Sequence, residues 1–235
     1  MRRCFLSVDS VHFLVSGGSG GIGAAVCDAL AARGVVPVVG YARNAEAAAV
    51  VATRTGGFSL QLDLTDEDGV AAAVERLEQL PRLGGIVLAG SPALAPMPFG
   101  KITPDDMAAQ WLVNVLGPQQ LLAELVRRCF RRHKQGAVVG VLTQAMGSGA
   151  SGIEGASSGM GAYVIAKHGL AGVLAMAAAD YPWLRVRAVR PGYTETRMLE
   201  AFDERFLDLQ REKAPFSTPE DVAATILHEA LEETP

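Results

Sequence analysis

Short apolar runs alternate with longer stretches of helical periodicity along the chain. Runs at residues 11–16, 35–41, 57–61, 85–89, 137–142 and 184–189 have strand length, and several are continuously apolar, as strands covered on both faces must be. Between them, apolar residues recur every three to four positions over 21–33, 44–54, 66–80, 104–132 and 162–181, with a last helix over roughly 219–232. Thr65, Thr103 and Thr218 stand where N-caps belong. Strands separated by helices predict βαβ units, hence an α/β fold: a three-layer, doubly wound parallel sheet of about six strands with helices on both faces. No repeat or linker interrupts the pattern, so residues 1–235 read as one domain. Two loops, 143–161 and 193–217, are longer than this architecture needs. Both follow carboxyl ends of strands, where open α/β sheets bind ligands.

Composition narrows the classes. Hydrophobic residues make up 49% of the 235 positions, enough for a packed core. The net charge of -4 argues against general nucleic-acid binding, which needs a basic surface. Cys4, Cys27 and Cys129 are scattered and odd in number, so neither a disulfide framework nor a zinc site is expected, and a reducing cytoplasm fits best. His12, His133, His168 and His228 have no metal-ligand spacing and read as surface or helix-end residues; no metal is expected. Residues 1–10 begin with two arginines, but the apolar stretch from Val11 meets glycines within a few positions. That is too short for a signal segment or membrane span, so the start reads as a lead-in to the first strand, and no membrane partner is expected.

Residues 16–23 read S-G-G-S-G-G-I-G, directly after a strand and before a helix. A phosphate-binding turn needs residues without Cβ so that backbone N–H groups approach the pyrophosphate, and the helix dipole favours the same anion. Gly17, Gly21 and Gly23 suit those roles, with Ser19 and Ile22 between them. Further along, Tyr163 and Lys167 form Y-x-x-x-K, which puts both side chains on one helical face a turn apart. An ammonium so placed lowers the pKa of a phenol and fits it for proton transfer.

In this order the motifs resemble those of the short-chain dehydrogenase/reductase family, in particular its 3-oxoacyl-acyl-carrier-protein reductase-like ketoreductases. The turn is similar to the family's T-G-x-x-x-G-x-G, with Ser16 for threonine. The resemblance implies a Rossmann-like domain binding NADP(H) or NAD(H), with the Asp63-Leu64 pair at the adenine and Ala89-Gly90 close to the cofactor. It assigns proton transfer to Tyr163, the nicotinamide ribose and catalysis to Lys167, and a water-linked proton path to Asn114. Pro191, Gly192, Thr194 and Thr196 match P-G-x-x-x-T, a segment that meets the nicotinamide carboxamide and phosphates. After the second strand, Ala42 stands where NAD-preferring relatives carry a carboxylate, and Arg43 follows, able to bind a 2'-phosphate. NADP(H) is therefore favoured over NAD(H).

The departures are equally specific. Strand four ends Val87-Leu88-Ala89-Gly90 where the family has N-N-A-G, so the sheet must be braced otherwise. Thr143 occupies the place of the serine that polarises the substrate carbonyl, but the loop after it carries extra residues, leaving Ser148 and Ser151 as alternatives. The chain stops at Pro235 without the usual seventh strand, so a homodimer is expected and a tetramer is in doubt. The expected activity is reduction of a ketone or oxidation of a secondary alcohol, small or acyl-carrier-linked. Arg127, Arg128, Arg131, Arg132, His133 and Lys134 suggest a 3-oxoacyl or polyketide-like thioester. The alternative is a non-catalytic NADP-binding regulatory or assembly protein of the same fold.

Overall fold

A computed structural model describes residues 10–147 and 155–231. In chain order the main elements are β1 (His12–Ser16), α1 (Gly21–Ala32), β2 (Val36–Tyr41), α2 (Ala45–Thr55), β3 (Phe58–Gln61), α3 (Glu67–Glu78) and β4 (Leu83–Leu88). There follow α4 (Pro104–Trp111), α5 (Gly117–Leu125), β5 (Ala137–Val141), α6 (Gly161–Asp180), β6 (Arg185–Val189), α7 (Glu204–Arg211) and α8 (Pro219–Leu231). The sheet is six-stranded, in the order β3-β2-β1-β4-β5-β6, and every pairing is parallel. The winding reverses between β1 and β4, which opens a crevice at their carboxyl ends.

Strand alternation divides the core into two layers. Leu14, Val38, Leu60, Ile86 and Val138 face α3, α5 and α6. Phe13, Val15, Val39, Val87 and Val139 face α1, α2 and α8. Both faces of the sheet are thus covered, which is why its strands read as unbroken apolar runs.

Five local expectations need correction. β4 begins at Leu83 and ends at Leu88, so Ala89 already belongs to the turn. Thr65 is not an N-cap: Asp66 holds that position of α3, while the Thr65 amide and hydroxyl both donate to Asp63 Oδ1. The helical stretch 104–132 is broken twice by π-turns, at Leu112–Leu116 and Val126–Phe130. His12 is not at the surface; it is fully buried in β1, its Nδ1 3.3 Å from the Arg82 carbonyl. Thr103 and Thr218 do form reciprocal caps, with Asp106 and Asp221. The segment 193–217 is not a plain loop, since it carries the 3-10 turn Arg197–Ala201 and α7. Ser148 and Ser151 lie outside the described residues, as do residues 1–9. Among the described residues one helix, α6, is long and apolar enough to cross a bilayer, but it packs by Ala162, Val164, Leu170 and Leu174 into the domain.

Candidate active site

The turn after β1 is shaped by backbone contact. Gly17 has φ +68, and a Cβ there would lie 2.7 Å from the Gly90 Cα. A Cβ on Gly23 would lie 2.2 Å from the Gly17 carbonyl oxygen, and one on Gly21 would meet the Thr196 methyl at 2.6 Å. Ser16 ties the two sides of the crevice together, its Oγ accepting from the Gly90 amide at 3.2 Å. This surface of bare backbone at the start of α1 fits a dinucleotide pyrophosphate. Gly23→Ala should cost about 1–3 kcal/mol of stability and lower Tm by roughly 3–10 °C, while weakening NADPH binding at least about tenfold. Thermal melts and fluorescence titration of NADPH check both; unchanged binding would show that the turn does not hold the cofactor.

Beyond β2 and β3, Arg43 lies near enough to Asp63 for its charge to be felt there. Thr65 holds the Asp63 carboxyl below the usual carboxylate range by its amide and hydroxyl bonds, with a smaller contribution from the charge of Arg43. Asp63 is therefore partly engaged in its own turn. Leu64 is buried, and its carbonyl would lie 2.2 Å from a Cβ on Gly117, so α5 closes tightly on this loop.

Tyr163, Lys167 and Thr143 come together beyond β5. Tyr163 and Lys167 sit in the first turns of α6, both buried, Lys167 at 2% exposure. Lys167 Nζ donates to the Val141 carbonyl at 2.8 Å and lies 5.6 Å from the Tyr163 ring centre. Thr143 directly follows that strand end, its Oγ1 accepting from the Ala145 amide, and its hydroxyl lies near enough to the Tyr163 phenol to favour the ionised form. Burial pushes the Tyr163 pKa up, partly offset by Thr143, and pushes Lys167 down to about 7. The expected lowering of the phenol by the lysine is thus not the dominant effect. Desolvation disfavours both charged forms and leaves a protonated phenol beside an amine that loses its proton near neutral pH.

Asn114 lies in the first π-turn and is 1% exposed, its Nδ2 bonded to the Gln110 backbone and side chain. π-turns inside helices gather at functional sites. Gln110, buried beside it, escaped the sequence reading because a lone glutamine on a helix carries no signal.

The segment after β6 closes the site. Pro191 accepts from the Gln144 amide at 2.9 Å, and Gly192 leaves room for the Gln144 side chain, whose Oε1 is 2.8 Å from where a Cβ would be. The Thr194 hydroxyl donates to the Gly192 carbonyl, and Thr194 bridges Ser217, pinning the base of the segment. Thr196 Oγ1 caps the following 3-10 turn. Above them Tyr193 stacks on Phe216 at 5.2 Å and meets Phe202 and Phe206 edge-on. Among the described residues no group of three His, Cys, Asp or Glu side chains is placed to hold a metal.

The basic cluster lies elsewhere. Arg128, Arg132 and His133 share a cavity of about 630 Å³ with Val11, Leu83 and Ala137, at the end of the sheet where strands begin. Arg127 pairs with Glu124, and Arg128 with Glu75, Glu78 and Glu124.

Comparison with known proteins agrees with this geometry. Residues 11–205 match the family described as short chain dehydrogenase. An acetoacetyl-CoA reductase from Paracoccus denitrificans is 30% identical over 230 residues, covering 94% of this chain and 90% of the relative. A 3-oxoacyl-[acyl-carrier-protein] reductase from Bos taurus is 29% identical, covering 89% of this chain and 86% of the relative. Among solved structures, a gluconate 5-dehydrogenase from Burkholderia cenocepacia, in complex with NADP and tartrate, superimposes with a TM-score of 0.83 at 22% identity, covering 94% and 88%. That last likeness concerns the fold; the sequence matches go further, and by them the chain belongs to the short-chain dehydrogenase/reductase family, as an oxidoreductase acting on alcohol or carbonyl groups.

Proposed function

We propose that the protein is an NADP(H)-dependent reductase of ketones, working in reverse on secondary alcohols. The observation that carries this reading is the convergence of Thr143, Tyr163 and Lys167 at the carboxyl end of β5. When bound, the nicotinamide cofactor supplies or accepts the hydride. The protein's own groups do the rest. Gly17, Gly21 and Gly23 admit the pyrophosphate, and Arg43 reaches a 2'-phosphate. The Thr143 and Tyr163 hydroxyls, close to each other, polarise the substrate oxygen. Tyr163 then gives its proton to that oxygen as negative charge develops, and its raised pKa keeps the proton available at neutral pH. Lys167 has one hydrogen bond among the described residues and can donate to ribose hydroxyls and return a proton to Tyr163. A protein that only binds nucleotide has no evident use for a lysine buried at such desolvation cost.

A 3-oxoacyl thioester is the first substrate class to try. It is supported by the relatives named acetoacetyl-CoA reductase and 3-oxoacyl-[acyl-carrier-protein] reductase, not by the basic cluster, which lies at the opposite end of the sheet. The test is NADPH oxidation by the purified protein against ketones including 3-oxoacyl thioesters. Turnover establishes the reductase; NADPH binding without turnover across the panel would favour a binding protein. In the same assay Arg43→Ala should raise KM for NADPH about tenfold, the loss of one guanidinium–phosphate contact, and leave NADH nearly unchanged. Equal effects on both cofactors would defeat the preference for NADP(H).

We further propose a homodimer, supported by Trp111, Leu116 and Met176, which remain 41–60% exposed along α4, the π-turn and α6. Sedimentation at micromolar concentration reads the assembly state; a monomer there would rule the dimer out.

A further inference from the structure

Gln110 is a polar side chain buried to 6% exposure at the junction of three segments. Its Nε2 donates to the Ala93 carbonyl at 3.1 Å, in the stretch that leaves β4. Its Oε1 accepts from Asn114 Nδ2 at 3.0 Å, and its own carbonyl accepts from the same nitrogen at 3.1 Å. Val87 and Leu88 at the end of β4 are apolar and buried and offer these groups no side-chain partner.

The directions of these bonds follow from one another. The Ala93 carbonyl can only accept, so Gln110 must turn its NH2 toward it. That leaves Oε1 facing Asn114, which must present its own NH2 in return. Both Asn114 amide protons are then spent on Gln110, and Oδ1 is left as a buried oxygen without a hydrogen-bond partner. An oxygen so placed can only accept. We infer that Gln110 is a positioning residue: it fixes the orientation of the Asn114 carboxamide and, with it, the π-turn that carries Asn114. This inference rests on the reductase reading.

The same bridge bears on Tyr163. The segment that Gln110 grips at Ala93 continues to Met97, whose amide donates to the Gly159 carbonyl at 2.7 Å and which pairs with Met160. A Cβ on Gly161, the first residue of α6, would lie 2.8 Å from Met97 Cγ. Gln110 therefore joins Asn114 to the stretch on which the helix of Tyr163 is seated.

The test uses the full chain, with Gln110→Leu and Gln110→Glu beside the wild type. The sequence has two asparagines, Asn44 and Asn114, so selective 15N-asparagine labelling gives two side-chain amide signals. Asn44 is exposed, and Asn114 should exchange slowly with solvent in the wild type. In Gln110→Leu we expect that protection to be lost and kcat to fall roughly tenfold to a hundredfold, with KM for the ketone little changed. In Gln110→Glu only the protonated carboxyl can both donate to Ala93 and accept from Asn114. Its kcat should therefore recover as pH falls, relative to the wild type. Retained protection in Gln110→Leu, or a Gln110→Glu profile parallel to the wild type, would overturn the inference. If the wild type itself turns over no ketone, the reductase reading fails, while the labelled amide still decides whether Gln110 orients Asn114.

Discussion

Tyr163→Phe should lower ketone reduction by about 10²–10⁴-fold while NADPH binds almost as before. The substitution removes one oxygen from a ring that stays buried, so folding is little disturbed. What is lost is the phenolic proton next to Thr143. Because burial raises the phenol's pKa, the group is in the proton-donating form throughout the neutral range. Reduction by the wild type should accordingly be insensitive to this group below its pKa, whereas alcohol oxidation, which needs the phenolate, should accelerate as pH rises. Steady-state rates in both directions between pH 6 and about 10 check the pair of expectations. A Tyr163→Phe variant within a few-fold of wild type would remove the phenol from the chemistry.

Lys167→Met should abolish most turnover and yet make the protein more stable at neutral pH. Burial lowers the lysine from 10.5 to about 7, so the folded state holds its proton less tightly than the unfolded chain. Below about pH 7 both states are protonated and the wild type carries the whole cost of a buried charge. Between about 7 and 10.5 the unfolded chain binds the extra proton, so wild-type stability rises with pH; above 10.5 the cost is gone. The gross gain from methionine is on the order of a few kcal/mol, reduced by about 1–3 kcal/mol for the Val141 carbonyl left without its donor. The advantage should be largest at and below pH 7 and should fade toward pH 10.5. Denaturant melts at several pH values measure it, and a difference independent of pH would mean that the amine is not desolvated in the folded protein.

Much of the fold was legible because covering the sheet on both faces forces long apolar runs such as those around Leu14 and Val39, which local periodicity reveals. The glycine turn was legible for a related reason: a Cβ at Gly17 or Gly23 would collide with backbone, so the residue type itself records the contact. His12 was not, since its partner is a carbonyl 70 residues away and nothing near it in sequence marks the burial. The π-turns preserve helical periodicity to within one residue, so the displacement of Asn114 left no trace in the pattern. Thr65 looked like a cap because threonine before an acidic pair usually is one, but the bonds to Asp63 took precedence. Thr143 is one of three hydroxyl candidates by spacing, and its nearness to Tyr163 follows from the path of the chain after β5, which spacing does not record.

The reversal of winding between β1 and β4 also governs how the molecule is made. As synthesis proceeds, β1, β2 and β3 emerge together and can assemble early, but the other flank of β1 has no partner until β4 follows. Until then His12 lacks the Arg82 carbonyl, and the innermost strand of the finished sheet is an open edge. Joining the halves closes a long stretch of chain before its contacts repay the lost entropy. The half-made protein is therefore most exposed to mispairing with other chains along the line that later forms the floor of its active crevice.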